Sequence, residues 1–329
     1  MHLYQLIPEK IIEMKDWFVI VNPNAGRREG EKSWNLINSI LQDKIHQYTS
    51  KFTKGKEDAI YLAKSAIEEG YKKIIAIGGD GTINEVVNGI FTQTYTPTTE
   101  ILLGVIPVGT GNDWGRMFNI PTNYEGAITT IANGNTILQD VGKVSFYKDM
   151  DKFHRFFINI AGLGFDARVV KKSNQKKEKK KSGKLSYLTS LISSLLSHKS
   201  QTATVKIDSD SFSEKVFSMN VGICQYSGGG MKQVPFAIPD DGLFDLTVIK
   251  KLSKISVIRN VKKLYNGSFT NHKKVSTMRG EKILIESEEK IFLEVDGETM
   301  GHTPFEFEIA PKSLGIIVNP SYLNDLKTH

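Results

Sequence analysis

The chain of 329 residues contains a single cysteine, Cys224, so an internal disulfide is excluded. It also lacks any run of roughly eighteen apolar residues, the length a membrane-spanning helix needs. The opening segment MHLYQLIPEKIIEMKDW has no continuous apolar core and does not read as a secretory signal. These absences favour the cytoplasm. Seven histidines (His2, His46, His154, His198, His272, His302 and His329) show no metal-ligand spacing. GxxxxGK[ST] is missing, so no Walker-type lysine reaches a phosphate. With 40% hydrophobic and 24% charged residues, the composition is that of a globular protein with ample core.

The formal charge of +7 is local. Residues 171–184, KKSNQKKEKKKSGK, hold eight lysines and one glutamate and account for all of it. A basic surface confined to one loop is thin support for nucleic-acid binding. It reads either as a solvated loop or as a segment that meets an anionic membrane. Just after it, Leu185, Leu188, Leu191, Ile192, Leu195 and Leu196 recur at helical spacing. That pattern fits a helix packed on the fold, or a membrane-docking element beside the lysines.

Apolar runs at Trp17–Val21, Ile74–Ile77 and Ile101–Val108 alternate with helical patterns at Trp34–Leu41 and Ala59–Ile67. Alternation of this kind predicts a parallel α/β sheet over residues 1–139. From about Asp140 the pattern changes to period-two runs: RFFINIA, TATVKI, FSMNVGI, LFDLTVI, KILIES, KIFLEV and FEFEIA. These predict a mostly antiparallel β domain over 140–315, with 316–329 returning to the first domain.

Three glycine-bearing turns follow the N-terminal strands: Asn22-Pro23-Asn24-Ala25-Gly26, Gly78-Gly79-Asp80-Gly81-Thr82, and Gly109-Thr110-Gly111-Asn112-Asp113. In an open parallel sheet, ligands bind beyond the carboxyl ends of the strands, so three small-residue loops there predict a nucleotide site. Backbone amides and the hydroxyls of Thr53, Thr82 and Thr110 would hold phosphate. Asp80 is tolerable in such a loop if a divalent cation or a water network offsets its charge.

Two acidic turns lie further on. Ile238-Pro239-Asp240-Asp241-Gly242-Leu243-Phe244-Asp245 reads as a hairpin turn or as a hard-cation site. Val295-Asp296-Gly297-Glu298, between alternating runs, reads first as a hairpin turn. Cys224 has no evident catalytic partner and is expected in the core.

Together VNPNAG, GGDGTINEVVNG, IPVGTGND and DDGLFD resemble the diacylglycerol-kinase catalytic domain family, in its soluble bacterial branch, related to sphingosine and ceramide kinases. The match runs over nearly all the chain from about Met14. It implies a Rossmann-like nucleotide domain followed by a β-sandwich domain, with ATP in the cleft. It implies nucleotide contacts from Asn22, Pro23, Asn24, Ala25, Gly26, Thr53, Gly78, Gly79, Asp80, Gly81, Thr82, Ile83, Asn84 and Thr110. Asp80 would join a water and metal network. A structural Mg²⁺ would be held by the Asp241 carboxylate and the carbonyls of Ile238 and Leu243. Glu298 would accept the proton of the acceptor hydroxyl, with Asp296 an essential neighbour. The activity implied is ATP- and Mg²⁺-dependent phosphorylation of a membrane lipid. Diacylglycerol is the leading substrate and a sphingoid base or another glycerolipid the next; an NAD kinase is a further rival. Such an enzyme works peripherally at the membrane surface, without nucleic acid, and a homodimer is compatible with it.

Overall fold

The computed structural model describes residues 15–109, 111–178, 194–195 and 197–327. The chain begins with β1 (Lys15–Val21), α1 (Ala25–Lys32), α2 (Trp34–Lys44), β2 (Tyr48–Phe52), α3 (Asp58–Glu68), β3 (Tyr71–Gly78) and α4 (Asp80–Thr92). It continues with β4 (Leu102–Pro107), α5 (Asp113–Met117) and α6 (Tyr124–Asn133). The four strands run parallel in the order β4-β3-β1-β2. Val19, Ile20 and Val21 of β1 and the residues Ile74 to Ile77 of β3 are fully buried. Helices cover both faces of such a sheet, which is why these strands are continuous apolar runs.

The second half is built from β5 (Thr136–Lys148), β6 (Asp151–Phe157), β7 (Ile160–Gly164), α7 (Phe165–Glu178), β8 (Gln201–Ile207) and β9 (Asp210–Gly222). The small hairpin of β10 (Tyr226–Ser227) and β11 (Met231–Lys232) follows, then β12 (Phe244–Lys250), β13 (Val275–Gly280), β14 (Lys282–Glu286), β15 (Phe292–Val295) and β16 (Glu298–Ile317). Pairing among these strands is antiparallel. Phe157, Phe244, Phe305 and Phe307 pack ring against ring at their centre, all but excluded from water.

β16 joins the halves. It starts in a hairpin with β15, pairs with β14 and β5, and ends parallel to β4 at Gly315↔Leu102 and Ile316↔Leu103. One sheet therefore runs from β13 to β2. The fold is mixed α/β, with an N-terminal nucleotide-binding-type half and a C-terminal antiparallel β-rich half.

Two sequence expectations change in detail. RFFINIA is two strands: the ladder breaks at Ile158-Asn159, where backbone N–H groups turn to a carboxylate described below. The Asp240-Asp241-Gly242 turn does not join a hairpin, because β12 pairs with β9 and β13 while β11 pairs with β10. The lysines beyond residue 178 and most of the Leu185–Leu196 pattern lie outside the described residues. Leu195 is described, and is buried with Phe165, Val169 and Phe217. No helix among the described residues is long and apolar enough to cross a membrane. Cys224 is buried, and its thiol donates to the Ile158 carbonyl.

Candidate active site

The three glycine turns meet at the carboxyl ends of β1, β3 and β4. The Asn22 N–H donates to the Ile77 carbonyl at 2.9 Å, and the Val108 N–H to the Gly78 carbonyl at 2.8 Å. The Asn22 side chain donates to Thr82 Oγ1 at 2.8 Å, locking the first loop to the second. Gly78 has to be glycine here: a Cβ would stand 2.4 Å from Thr82 Oγ1. In the first loop Gly26, Arg27 and Arg28 all have left-handed backbones, with φ of 60°, 64° and 69°. For the two arginines that conformation costs on the order of 1–2 kcal/mol each, a strain of the kind that marks functional loops. The Thr53 N–H donates to the Val21 carbonyl at 2.9 Å, placing Thr53 at the same sheet edge. Thr110 lies outside the described residues. Ile83 and Asn84 have buried side chains. The Asn84 amide is occupied by Asp296, Phe156 and Arg155 and the residue is fully buried, which commits its side chain to the framework.

Asp80 opens α4, yet its carboxylate is turned to α5. Its oxygens accept the N–H groups of Asp113 at 3.3 Å and Trp114 at 3.2 Å. The next link is Asp113, which accepts the N–H groups of Gly229 at 2.7 Å and Gly230 at 2.6 Å. Gly229 and Gly230 have φ of 86° and 94°, a backbone that L side chains rarely adopt. This relay of carboxylate, helix, carboxylate and glycine loop ties the phosphate turn to the second half. Burial, reinforced by the charge of Asp113, pushes the Asp80 carboxyl up to about 6. Burial likewise raises Asp113, against the pull of its two backbone donors.

The Asp296-Gly297 turn between β15 and β16 is the hairpin expected from sequence, with φ of 46° and 87°. It also carries the acidic chemistry. Asp296 is buried and accepts four hydrogen bonds: from the Asn84 side chain at 2.8 Å, and from the N–H groups of Ile158, Asn159 and Ile160 at 3.1–3.2 Å. Burial still outweighs these donors and raises the carboxyl to about 6. Glu298 differs. Its side chain is 34% exposed, with Oε2 3.6 Å from Lys56 Nζ. Its Oε1 lies 3.4 Å from where a Cβ on Gly81 would stand. Glu298 therefore faces the first turn of α4, within the glycine loop, while Asp296 is committed to the framework beneath it.

Beside these loops lies a cavity of about 270 Å³, lined in part by Gly26, Val108, Gly109, Asn112, Arg116 and Tyr124. Asn112 Oδ1 is buried in its wall without a hydrogen-bond partner among the described residues. That acceptor, and loops with no Cβ atoms in the way, fit a nucleotide.

The second acidic turn is arranged differently. Asp241 accepts the Leu243 N–H at 3.1 Å and is paired with Arg279, which also bonds Asp245 at 3.0 Å. Asp140 accepts the N–H groups of Gly242 and Lys312, both at 2.7 Å. No cluster of three or more histidine, cysteine, aspartate or glutamate side chains among the described residues is placed to hold a metal ion. A guanidinium pairs with the carboxylate expected to bind Mg²⁺, so a cation at Asp241 would have to displace Arg279.

Sequence reading placed Asp113 in the third glycine turn without a role of its own, and missed Lys56, Arg155, Asn159 and Glu294. Most reach the site through partners far along the chain; Arg155 Nε, for example, bonds Asn84 Oδ1 at 2.8 Å across 71 residues, whereas Glu294 bonds Gly297 three residues on. Only Gly228-Gly229-Gly230 offered a signal, since consecutive glycines imply a backbone that something must approach closely.

A phosphate-type loop at a parallel sheet edge, faced by a carboxylate from an antiparallel half, is an arrangement suited to phosphoryl transfer. Residues 16–144 match the diacylglycerol kinase catalytic domain, and residues 159–318 the YegS C-terminal NAD kinase beta sandwich-like domain. The chain is 32% identical over 298 residues to a diacylglycerol kinase of Staphylococcus epidermidis (strain RP62A), covering 88% of this chain and 87% of that protein. It is 32% identical over 317 residues to one of Staphylococcus aureus (strain MRSA252), covering 93% and 95%. Among solved structures it resembles a proposed diacylglycerol kinase from Bacillus anthracis str. Sterne, at 26% identity and TM-score 0.76, covering 94% of this chain and 99% of that one. Yeast NADH kinase shares the fold alone, at 12% identity and TM-score 0.52, over 96% of this chain and 89% of that one. The chain belongs to the diacylglycerol kinase family and is a kinase.

Proposed function

We propose that the protein transfers the γ-phosphoryl group of ATP to the hydroxyl of diacylglycerol, giving phosphatidic acid. The observation that carries this reading is Glu298, set against Gly81 at the start of α4. A carboxylate there reaches a hydroxyl brought to a phosphate held by the glycine loop. The base of ATP would occupy the cavity beside Asn112, and its phosphates would lie over residues Gly78 to Thr82, with Asn22 to Gly26 and Thr53 alongside. Residues 1–139 with 316–329 form the nucleotide half in this reading, and 140–315 the lipid half. Glu298 accepts the hydroxyl proton as the oxygen attacks the γ-phosphorus and the bond to the β–γ bridging oxygen breaks, releasing ADP. Asp296 holds Asn84 and the Ile158–Ile160 backbone in place. Asp80 fixes α5 and, with the lone pairs it has left, can order water around the phosphates. Mg²⁺, bound with ATP, would neutralise phosphate charge.

Incubating the protein with labelled ATP and a total lipid extract should label phosphatidic acid. Label in a sphingoid base or another glycerolipid would replace diacylglycerol as the substrate. Glu298→Gln should lower turnover strongly while ATP affinity stays near that of the parent. Near-normal turnover in that variant would sink the proton-acceptor role. The structural Mg²⁺ at Asp241 has a separate test, because a cation that binds only the folded state raises the melting temperature. Added Mg²⁺ should raise the Tm of the parent and not that of Asp241→Ala; equal shifts remove Asp241 as a ligand and leave the turn to Arg279.

A further inference from the structure

Gly297, the residue before Glu298, is gripped on both sides of its backbone. Its N–H donates to Glu294 Oε2 at 2.8 Å, and its carbonyl accepts from Asn174 Nδ2 at 3.1 Å. Neither partner touches the glycine loop. Glu294 is 2% exposed and wedged against Gly162, where a Cβ would stand 2.5 Å from Glu294 Oε1. Asn174 lies on α7, whose Phe165 and Val169 are anchored against Leu195 and Phe217. Asp296 and the β15–β16 pairing hold the flanks of the turn, which leaves Gly297 as its compliant point. Gly297 has φ of 87° and no side chain to restrain it, and glycine moves between backbone wells at low cost. A small rotation about Gly297 would swing the Glu298 side chain away from Gly81.

A carboxyl group burying itself to accept one N–H in a turn is costly unless that turn must be held. We propose that Glu294 and Asn174 are positioning residues that aim Glu298 at the acceptor hydroxyl, acting through the two sides of Gly297. The proposal rests on Glu298 as the proton acceptor. Through Asn174 it also makes α7, the helix that leads into the lysine-rich segment, part of the catalytic geometry.

The test is steady-state kinetics on Asn174→Ala, Glu294→Ala, Glu294→Gln and Glu298→Gln, varying ATP and detergent-dispersed diacylglycerol separately. Misplacing a reacting group by about 1 Å costs on the order of 100-fold. Asn174→Ala and Glu294→Ala should therefore lower kcat by about tenfold or more, with both KM values within about twofold of the parent. Glu294→Gln keeps an amide oxygen to accept the Gly297 N–H and should retain most of the parent kcat. Parent-like kcat in both alanine variants overturns the proposal, as does a change confined to KM. Equal damage from Gln and Ala at position 294 also overturns it, because the acceptor oxygen would then not be what matters. Should Glu294→Ala fail to fold, Asn174→Ala and Glu294→Gln decide alone. Parent-like turnover in Glu298→Gln removes the proton-acceptor reading and the proposal with it. Loss in Glu298→Gln beside normal Asn174→Ala and Glu294→Ala removes only the positioning.

Discussion

A carboxylate that accepts several N–H bonds is normally stabilised as the anion, and Asp296 accepts four. Its carboxyl is nonetheless raised to about 6, because burial outweighs the donors. The sign of the pH effect follows. A folded-state value above the unfolded one, about 3.9, means the folded protein holds the proton longer, so this group's contribution to stability falls as pH rises from about 4 through about 6. Asn at 296 cannot ionise. The stability of the parent relative to Asp296→Asn should therefore decline by about 2–3 kcal/mol between pH 4 and pH 7. Denaturant unfolding of both proteins at several pH values measures this. A relative gain for the parent over the same window would mean that the four donors outweigh burial. Glu298, two residues further along the same turn, has no such commitment to the framework, and this contrast separates a supporting carboxylate from a reacting one.

At the scale of elements, α4 has to lie close to α3 for its first turn to reach the sheet edge. Gly89 permits that approach: a Cβ there would stand 2.5 Å from the Ile60 carbonyl and 2.6 Å from Ala63 Cβ. Gly89→Ala would gain up to about 1 kcal/mol of helix propensity. The clash is with backbone, which cannot rotate away, and overpacking costs about 1–3 kcal/mol. The variant should melt several degrees below the parent and lose activity at temperatures the parent tolerates; an unchanged Tm would show that α3 has room to shift. The same scale shows what sequence could reveal. β1, β3 and β4 were legible because burial on both faces leaves an uninterrupted apolar run. β2 (YTSKF) was not, since an edge strand with alternating partial exposure carries no such run. β6 and β7 read as one strand because nothing local announces that Asp296, more than 130 residues later, draws off the N–H groups between them. The glycine loops and acidic turns were legible as motifs. Their partners Lys56, Arg155 and Glu294 were not, because ordinary charged residues acquire a role only through the neighbours folding gives them.

For the whole molecule the open question is how a protein with no membrane-spanning helix among its described residues reaches a lipid. The proposed contact is the lysine-rich segment at 171–184. Lys171 lies over the Phe292 ring at 5.4 Å and Lys172 bonds Ser197 Oγ at 3.4 Å, so those two also serve the fold. The six lysines from 176 to 184 are the ones to replace with glutamine. Each lysine near an anionic surface contributes about 1 kcal/mol, screened by salt. Activity on diacylglycerol in anionic vesicles should fall about tenfold or more, as high salt should make the parent fall. Activity on a short-chain substrate dispersed in water should stay. Parent-like activity on vesicles would leave the segment without a membrane role.

The path of β16 has a consequence for how the molecule comes apart. Because this strand begins at Glu298 and ends hydrogen-bonded to β4, the two halves share one ladder of backbone bonds. Severed from each other, each half would present an unpaired strand edge, which invites pairing with other chains. Melting should therefore be a shared event, in which losing the antiparallel half frays the parallel half from its β4 side. A destabilising change anywhere along that ladder reaches both halves at once.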